Sequence, residues 1–164
     1  MKRRLAAAAF IVCSASPAFP TWSIVAMDQS TGTAVIASAT CVAQASFRLF
    51  PARGLMDVQA IVVPGKGIAA AQAAADPTRR NQDRIFVELD KGTPPQQIID
   101  VLKADPEIEF RQFGIVDIQG RVAGFSGSKN SPSSLNRQGQ VPGTGVFYSL
   151  QGNILASDDV VLAA

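Results

Sequence analysis

SPAFPTWSIVAMD, residues 16–28, joins two kinds of sequence, and its reading decides where the fold begins. The first half closes a leader. Lys2, Arg3 and Arg4 give a basic start, Leu5 to Val12 form a short apolar run, and small residues follow. That is the pattern of a secretory signal peptide. The apolar run is far shorter than the roughly 20 residues a membrane-spanning helix needs. Ser16-Pro17-Ala18 predicts cleavage after Ala18, with Ala15 as the second choice. The second half, TWSIVAMD, alternates like a strand but is largely apolar on both sides, which predicts a strand covered on both faces.

Residues 1–18 are therefore set aside as a signal peptide. Residues 19–164 are long enough for one domain with its own core. Taking Lys2, Arg3 and Arg4 from the 15 basic residues leaves 12 against 13 acidic ones, and the formal charge falls from +2 to −1. No basic patch argues for nucleic acid, and no span argues for a membrane. An exported, periplasmic or extracellular protein is expected.

The chain contains no histidine. This removes Ser-His-Asp and Cys-His catalysis, the usual imidazole base, and most zinc sites. No metal or other cofactor is called for. GFSGS at 124–128 is no nucleophile elbow, since Ser128 stands where glycine is needed and the histidine is missing. GKG at 65–67 lacks phosphate-loop spacing. Asp158-Asp159 has no further ligands beside it. Cys41, in SATCVAQ, has small neighbours that predict burial.

Along the chain, residues 28–32 predict a turn with Gly32 at positive φ. TAVIASATCVA reads as an antiparallel partner of the first strand, its small residues suited to packing against a helix layer. MDVQAIVVPG reads as a third strand. GIAAAQAAADP is ambiguous, because alanine favours helix. Residues 77–91 read as a helix closed by Gly92, and the next helix starts with Thr93 as cap and Pro94 in its first turn. RQFGIVDIQGRVAGFSG reads as a hairpin, residues 127–145 as a long loop, VFYSLQGNILA as a strand, and Ser157 as the cap of a last helix. The order predicts a layered α+β domain.

TWSIVAMDQSTG, AAQAAADP, DPEIEFRQFGIVDIQGRVAGFSGS and YSLQGNILASDDVV together resemble the bacterial family called domain of unknown function 1028. The pieces fall in family order across residues 21–161. The family is grouped with the N-terminal-nucleophile hydrolases. The resemblance implies a four-layer αββα sandwich, with GIAAAQ as a strand. It implies an amide or peptide hydrolase in which a mature N-terminal Thr attacks a carbonyl and its own α-amine acts as base, chemistry that needs no histidine. Family members commonly begin Met-Thr-Phe/Tyr-Ser-Ile, and Thr21 matches that Thr.

Among the other polar residues, Asn153 is a candidate oxyanion donor, or else a turn contact after Gly152. Gln72 and Gln151 are candidate substrate-binding residues. Thr21 itself can be an ordinary β-branched residue opening a strand. Asp28 suits a turn hydrogen bond, and Arg111 an ion pair. The chain departs from the resemblance in three ways. Pro20 precedes Thr21, where a small residue is preferred for cleavage. No Lys lies between Lys2 and Lys66, although the superfamily often keeps one near the nucleophile. Family members usually continue beyond the QGN block. A fragment, a truncated inactive product, or a homodimer that covers the gap are the readings this leaves. The alternative to a hydrolase is a non-catalytic exported module that binds a ligand or partner with the same sandwich, through the 127–145 loop.

Overall fold

A computed structural model describes residues 20–50, 52–74, 76–131 and 133–164. Residues 1–18, where a signal peptide is expected, and Phe19 lie outside the described residues. Eight strands form two four-stranded antiparallel sheets among those residues, accompanied by four α-helices. Sheet A has the order β2 (Thr33–Thr40), β1 (Thr21–Asp28), β8 (Val146–Asn153), β7 (Leu135–Gln140). Sheet B has the order β3 (Ala60–Val63), β4 (Gly67–Ala73), β5 (Arg111–Asp117), β6 (Val122–Ser126). The sheets stack, with β1 over β4 and β5, and β8 over β5.

The alternation of each strand sorts its residues into layers. Ala69 and Ala71 on β4, and Phe113 and Ile115 on β5, point away from sheet A. They form the main core with Ile85 and Leu89 of α2 (Arg80–Lys91) and Ile98, Ile99 and Leu102 of α3 (Pro95–Leu102). Val25, Met27, Ile68, Ala70 and Val116 point between the sheets and form a second, smaller core. The alanine-rich GIAAAQA is thus a strand. It is almost wholly buried, with a sheet neighbour on each side and layers above and below. That pairing and burial outweigh an alanine helix propensity of under 1 kcal/mol per residue.

The space between the sheets is graded. One end holds Val25, Met27, Ile68 and Val116, with Phe147 packed beside them. The other end is filled by amides and hydroxyls. Gln112, Ser23, Ser149, Gln151, Asn153, Gln72 and Thr21 are all buried there. Two glycines make the room. A Cβ on Gly114 would sit 2.0 Å from Oε1 of Gln151, and one on Gly124 would sit 2.0 Å from Nε2 of Gln138. These two glycines pair directly across β5 and β6, so the glutamines of sheet A seat into a shared slot in sheet B.

Several local expectations are corrected. Leu55–Gln59 is a short helix, α1, rather than the start of the third strand. One helical turn is too short to display a period. Residues 127–145 are not one long loop, because β7 occupies Leu135–Gln140. Its inward face carries Asn136 and Gln138 and ends at the exposed Gln140, so it lacks the apolar alternation by which strands are recognised. It is held instead by its pairing with β8 and by amide contacts.

Helix α2 begins at Arg80, because the Asp76 carboxylate accepts hydrogen bonds from the Thr78 N–H (2.8 Å), the Thr78 hydroxyl (2.6 Å) and the Arg80 N–H (3.2 Å). That knot holds residues 77–79 in a turn. Thr93 does not cap α3. Its hydroxyl donates to Glu88 Oε2 at 2.8 Å, and Pro94 occupies the capping position. Ser157 likewise caps nothing, and α4 (Asp159–Leu162) follows Asp158. Cys41 is exposed just past the end of β2 and is free. The small residues of β2 are mostly exposed, since β2 is an edge strand. On the outer face of sheet A, the described residues place only the single-turn α4, against β7 and β8. Trp22 and Val35 on that face are 40% and 53% exposed.

The slot predicts a contrast among glycines. Gly114→Ala must push Gln151 out of a fully buried position, and should cost about 1–3 kcal/mol of stability. Gly54→Ala places its Cβ 3.6 Å from the Gln44 amide at an extended backbone, and should change stability by less than about 0.5 kcal/mol. Urea unfolding of the two variants checks this, and equal losses would contradict the slot.

Candidate functional site

The polar end of the sheet pair coincides with the start of β1. Thr21 pairs with Thr40 on one side and with Asn153 on the other. Directly opposed residues in a sheet hold their Cβ atoms about 4.5–5.5 Å apart. The Thr21 and Thr40 hydroxyls are hydrogen-bonded at 2.7 Å, and Thr40 Oγ1 also accepts the Val42 N–H at 3.1 Å. Thr21 is only 7% exposed. Its nitrogen is a peptide nitrogen while Pro20 remains attached. The Pro20 carbonyl accepts the Cys41 N–H at 3.0 Å, which pins that residue alongside β2.

Gln112, from β5, is the hub behind Thr21. It is fully buried. Its Oε1 accepts from Gln72 Nε2 at 2.6 Å and from Asn153 Nδ2 at 3.1 Å. Its Nε2 faces Gly152 O at 2.8 Å, Ser126 Oγ at 3.0 Å and Leu135 O at 3.3 Å. Gln72 Nε2 also reaches Gln151 O at 3.3 Å. Gln72 and Asn153 are thus brought together through Gln112, beside Thr21. The Gln151 side chain lies one step deeper, between Ser23 Oγ (2.7 Å) and Ser149 Oγ (3.0 Å). Its role there is to fill the glycine slot. The backbone turns sharply just past Gln72 and Asn153, since Ala73 and Ile154 take φ of +73° and +54°. A β-branched residue rarely adopts that region, and its cost is of order 1–3 kcal/mol.

A cavity of 170 Å³ opens against Thr21. Thr21, Thr40, Gln59 and Gln72 form its polar wall. The rest is Val42, Phe47, Phe50, Leu55, Val58 and Ala73. Most of these come from the connection between β2 and β3, which folds over the end of the sandwich as a 3-10 turn, Gln44–Leu49, followed by α1. None of these lining residues carries a charge.

The charged groups that are held firmly lie elsewhere. Arg111 Nε donates to Asp105 Oδ2 at 3.0 Å, with both side chains about seven-eighths buried. Asn81 Nδ2 donates to the same oxygen at 2.6 Å, and the Arg111 guanidinium also reaches Ala74 O. Burial works to raise the Asp105 pKa. Hydrogen bonds from Asn81, the Glu107 N–H and Arg111, together with the Arg111 charge, outweigh it and hold the carboxyl below its ordinary value. Arg111 is therefore the ion-pair residue its sequence suggested, tying the end of α3 to β5. Asp28 accepts from Ser30 N–H and from the Ser30 and Thr31 hydroxyls, an ordinary turn role, and these bonds lower its pKa.

Sequence reasoning missed Gln112, Thr40 and Gln59. Gln112 carries a signal in RQFGIVD. Once that strand is known to be buried on both faces, its polar residue needs a partner. Thr40 and the cavity-lining residues carry no such signal, because they are assembled only by pairing and by the folded connection.

An antiparallel two-sheet α+β sandwich, with a buried polar end opening on a small cavity, is the class that these features define. The chain belongs to the family of unknown function DUF1028, which matches residues 21–164. A crystal structure of a protein of the same family from Silicibacter pomeroyi is similar, with a TM-score of 0.68 and 23% identity. The match covers 88% of this chain and 57% of that one, so the chain spans little more than half the length of that protein. At that identity the likeness speaks to the fold. No curated protein matches the sequence.

Two outcomes are expected of variants here. Gln112→Ala removes the shared partner of the Asn153 amide and the Gly152 carbonyl in a buried site and leaves the Gln72 amide only its longer bond to Gln151 O. At about 1–3 kcal/mol for an unsatisfied group, it should destabilise more than Gln140→Ala at the exposed end of β7, read by urea unfolding. Asp105 has a depressed folded pKa, so its stabilising contribution is complete above the unfolded carboxyl's value of about 3.9. It is lost as pH falls from there through the folded value. The drop in thermal midpoint between pH 6 and pH 3 should therefore be smaller in Asp105→Asn than in the parent; an unchanged drop would remove Asp105 as a contributor.

Proposed function

We propose that this chain is an exported amide or peptide hydrolase of the N-terminal-nucleophile type, working from Thr21 after Phe19 and Pro20 are removed. The observation that carries the reading is the position of Thr21. It is the first residue of a central strand, at the buried polar end of two stacked sheets, with its hydroxyl oriented by Thr40 and a cavity beside it. The absence of histidine fits a nucleophile that brings its own base.

In this reading the freed α-amine of Thr21 takes the proton from its own hydroxyl as Oγ1 attacks the amide carbonyl. The oxyanion that forms is held by N–H donors, for which Asn153, paired with Thr21 across the sheet, offers a side-chain amide. The carbonyl re-forms, the carbon–nitrogen bond breaks, and the leaving nitrogen takes the proton from the α-ammonium. Water then attacks the Thr21 ester and releases the acid. Asn153 is a positioned donor in this scheme because Gln112 fixes its amide.

One observation favours a second reading, a binding module without catalysis. The hydroxyl of Thr21 and the amide of Asn153 both already have partners within the protein. A closed network of that kind also serves to hold two sheets in register around a ligand pocket.

The mature N-terminus separates the two. Intact mass of the exported protein should correspond to a chain beginning at Thr21. That species should hydrolyse a panel of simple amides at a rate Thr21→Ala lowers at least a hundredfold, while leaving the unfolding midpoint within a few degrees. A chain beginning at Phe19, or hydrolysis indifferent to Thr21→Ala, would sink the hydrolase reading.

A further inference from the structure

The cavity beside Thr21 has a size and a chemistry that select what can enter it. Its volume is 170 Å³. An apolar cavity of about 150 Å³ takes up benzene. The space therefore suits a phenyl group or a branched aliphatic group of similar bulk. Phe47, Phe50, Leu55 and Val58 make one side of it apolar, and Phe47 and Val58 are themselves buried. Thr21, Thr40, Gln59 and Gln72 make the other side polar but neutral. Burying an ion without an opposite charge is strongly unfavourable, and none of these lining residues supplies one.

We infer that this cavity is a specificity pocket for an uncharged, apolar acyl group of about phenyl size, so that the ligands of the site are neutral amides bearing such a group. The choice of the acyl side rests on the reading of Thr21 as nucleophile. The acyl group stays bonded to Thr21 while the amine departs, so the pocket beside that hydroxyl belongs to the part that stays. The preference for neutral apolar groups does not need that reading, since it follows from the lining alone.

The test compares three primary amides on the full chain: phenylacetamide, succinamate as the anionic counterpart, and 6-aminohexanamide as the cationic one. Dissociation constants are read from backbone amide chemical-shift changes. Phenylacetamide should bind at least tenfold more tightly than either charged amide, with its largest shifts at Thr21, Phe47, Val58 and Gln59. Leu55→Trp, which fills the cavity from a half-buried position, should weaken phenylacetamide at least tenfold with the fold intact by the same spectrum. Charged amides binding as well as phenylacetamide, no binding by any of the three, or binding indifferent to Leu55→Trp would each overturn the pocket. Hydrolysis is scored separately on the chain beginning at Thr21. Neutral-selective binding without turnover would retire the hydrolase reading and leave the pocket standing.

Discussion

Between the two sheets, where most sandwiches put hydrocarbon, this protein places a connected layer of amides centred on Gln112. Burying an amide is costly where its donors and acceptors go unmet. Gln112 accepts from the amide nitrogens of Gln72 and Asn153 while donating to the carbonyl of Gly152, and of these groups only the buried Gln72 Oε1 is left without a partner among the described residues. Apolar packing is nearly indifferent to small rotations of one sheet over another. A hydrogen-bonded amide layer is not, because its geometry fails within a fraction of an ångström. The layer therefore fixes the register in which sheet A sits on sheet B. Gly114 and Gly124 are the other half of the same constraint, since any side chain there would fill the space the glutamines occupy.

The grading of the interior follows from that layer. At the Met27 end the sheets are joined by apolar contacts, which supply most of the burial energy. At the Thr21 end they are joined by polar contacts, which supply direction more than energy. The connection between β2 and β3 can then fold its aromatic and aliphatic residues over the polar end and leave a small space between. An all-apolar interior would have drawn those residues in and closed it. The same feature that sets the register thus keeps a cavity beside a hydroxyl. Helices α2 and α3 cover the opposite face of sheet B and are tied to it by the Asp105–Arg111 pair, away from the cavity.

What could be read from the residues was uneven, for physical reasons. Strands with apolar side chains on both faces, such as TWSIVAMD, announce themselves by composition. Helices α2 and α3 announce themselves by spacing and by their stops. β7 does not, because its inward residues are Asn136 and Gln138, which look like a solvated loop until their partners are known. α1 does not, because five residues show no period. Thr21 was legible as a residue opening a strand, and Asn153 as a polar residue after Gly152. Their adjacency was not, since 132 positions separate them and only the β1–β8 register brings them level.

The sequence by itself determined the chemistry available: no imidazole, a neutral set of hydroxyls and amides, and a threonine opening the first strand. Those are properties of composition and order, and folding cannot change them. Only the tertiary structure decided how that chemistry is arranged. It made Gln112 rather than Gln151 the hub beside Thr21, placed Thr40 against the Thr21 hydroxyl, and gathered Phe47, Leu55 and Val58 into one wall. Each of these depends on contacts between strands or on the path of a connection. Such contacts are set by the joint packing of two sheets, and no local stretch of residues carries that information.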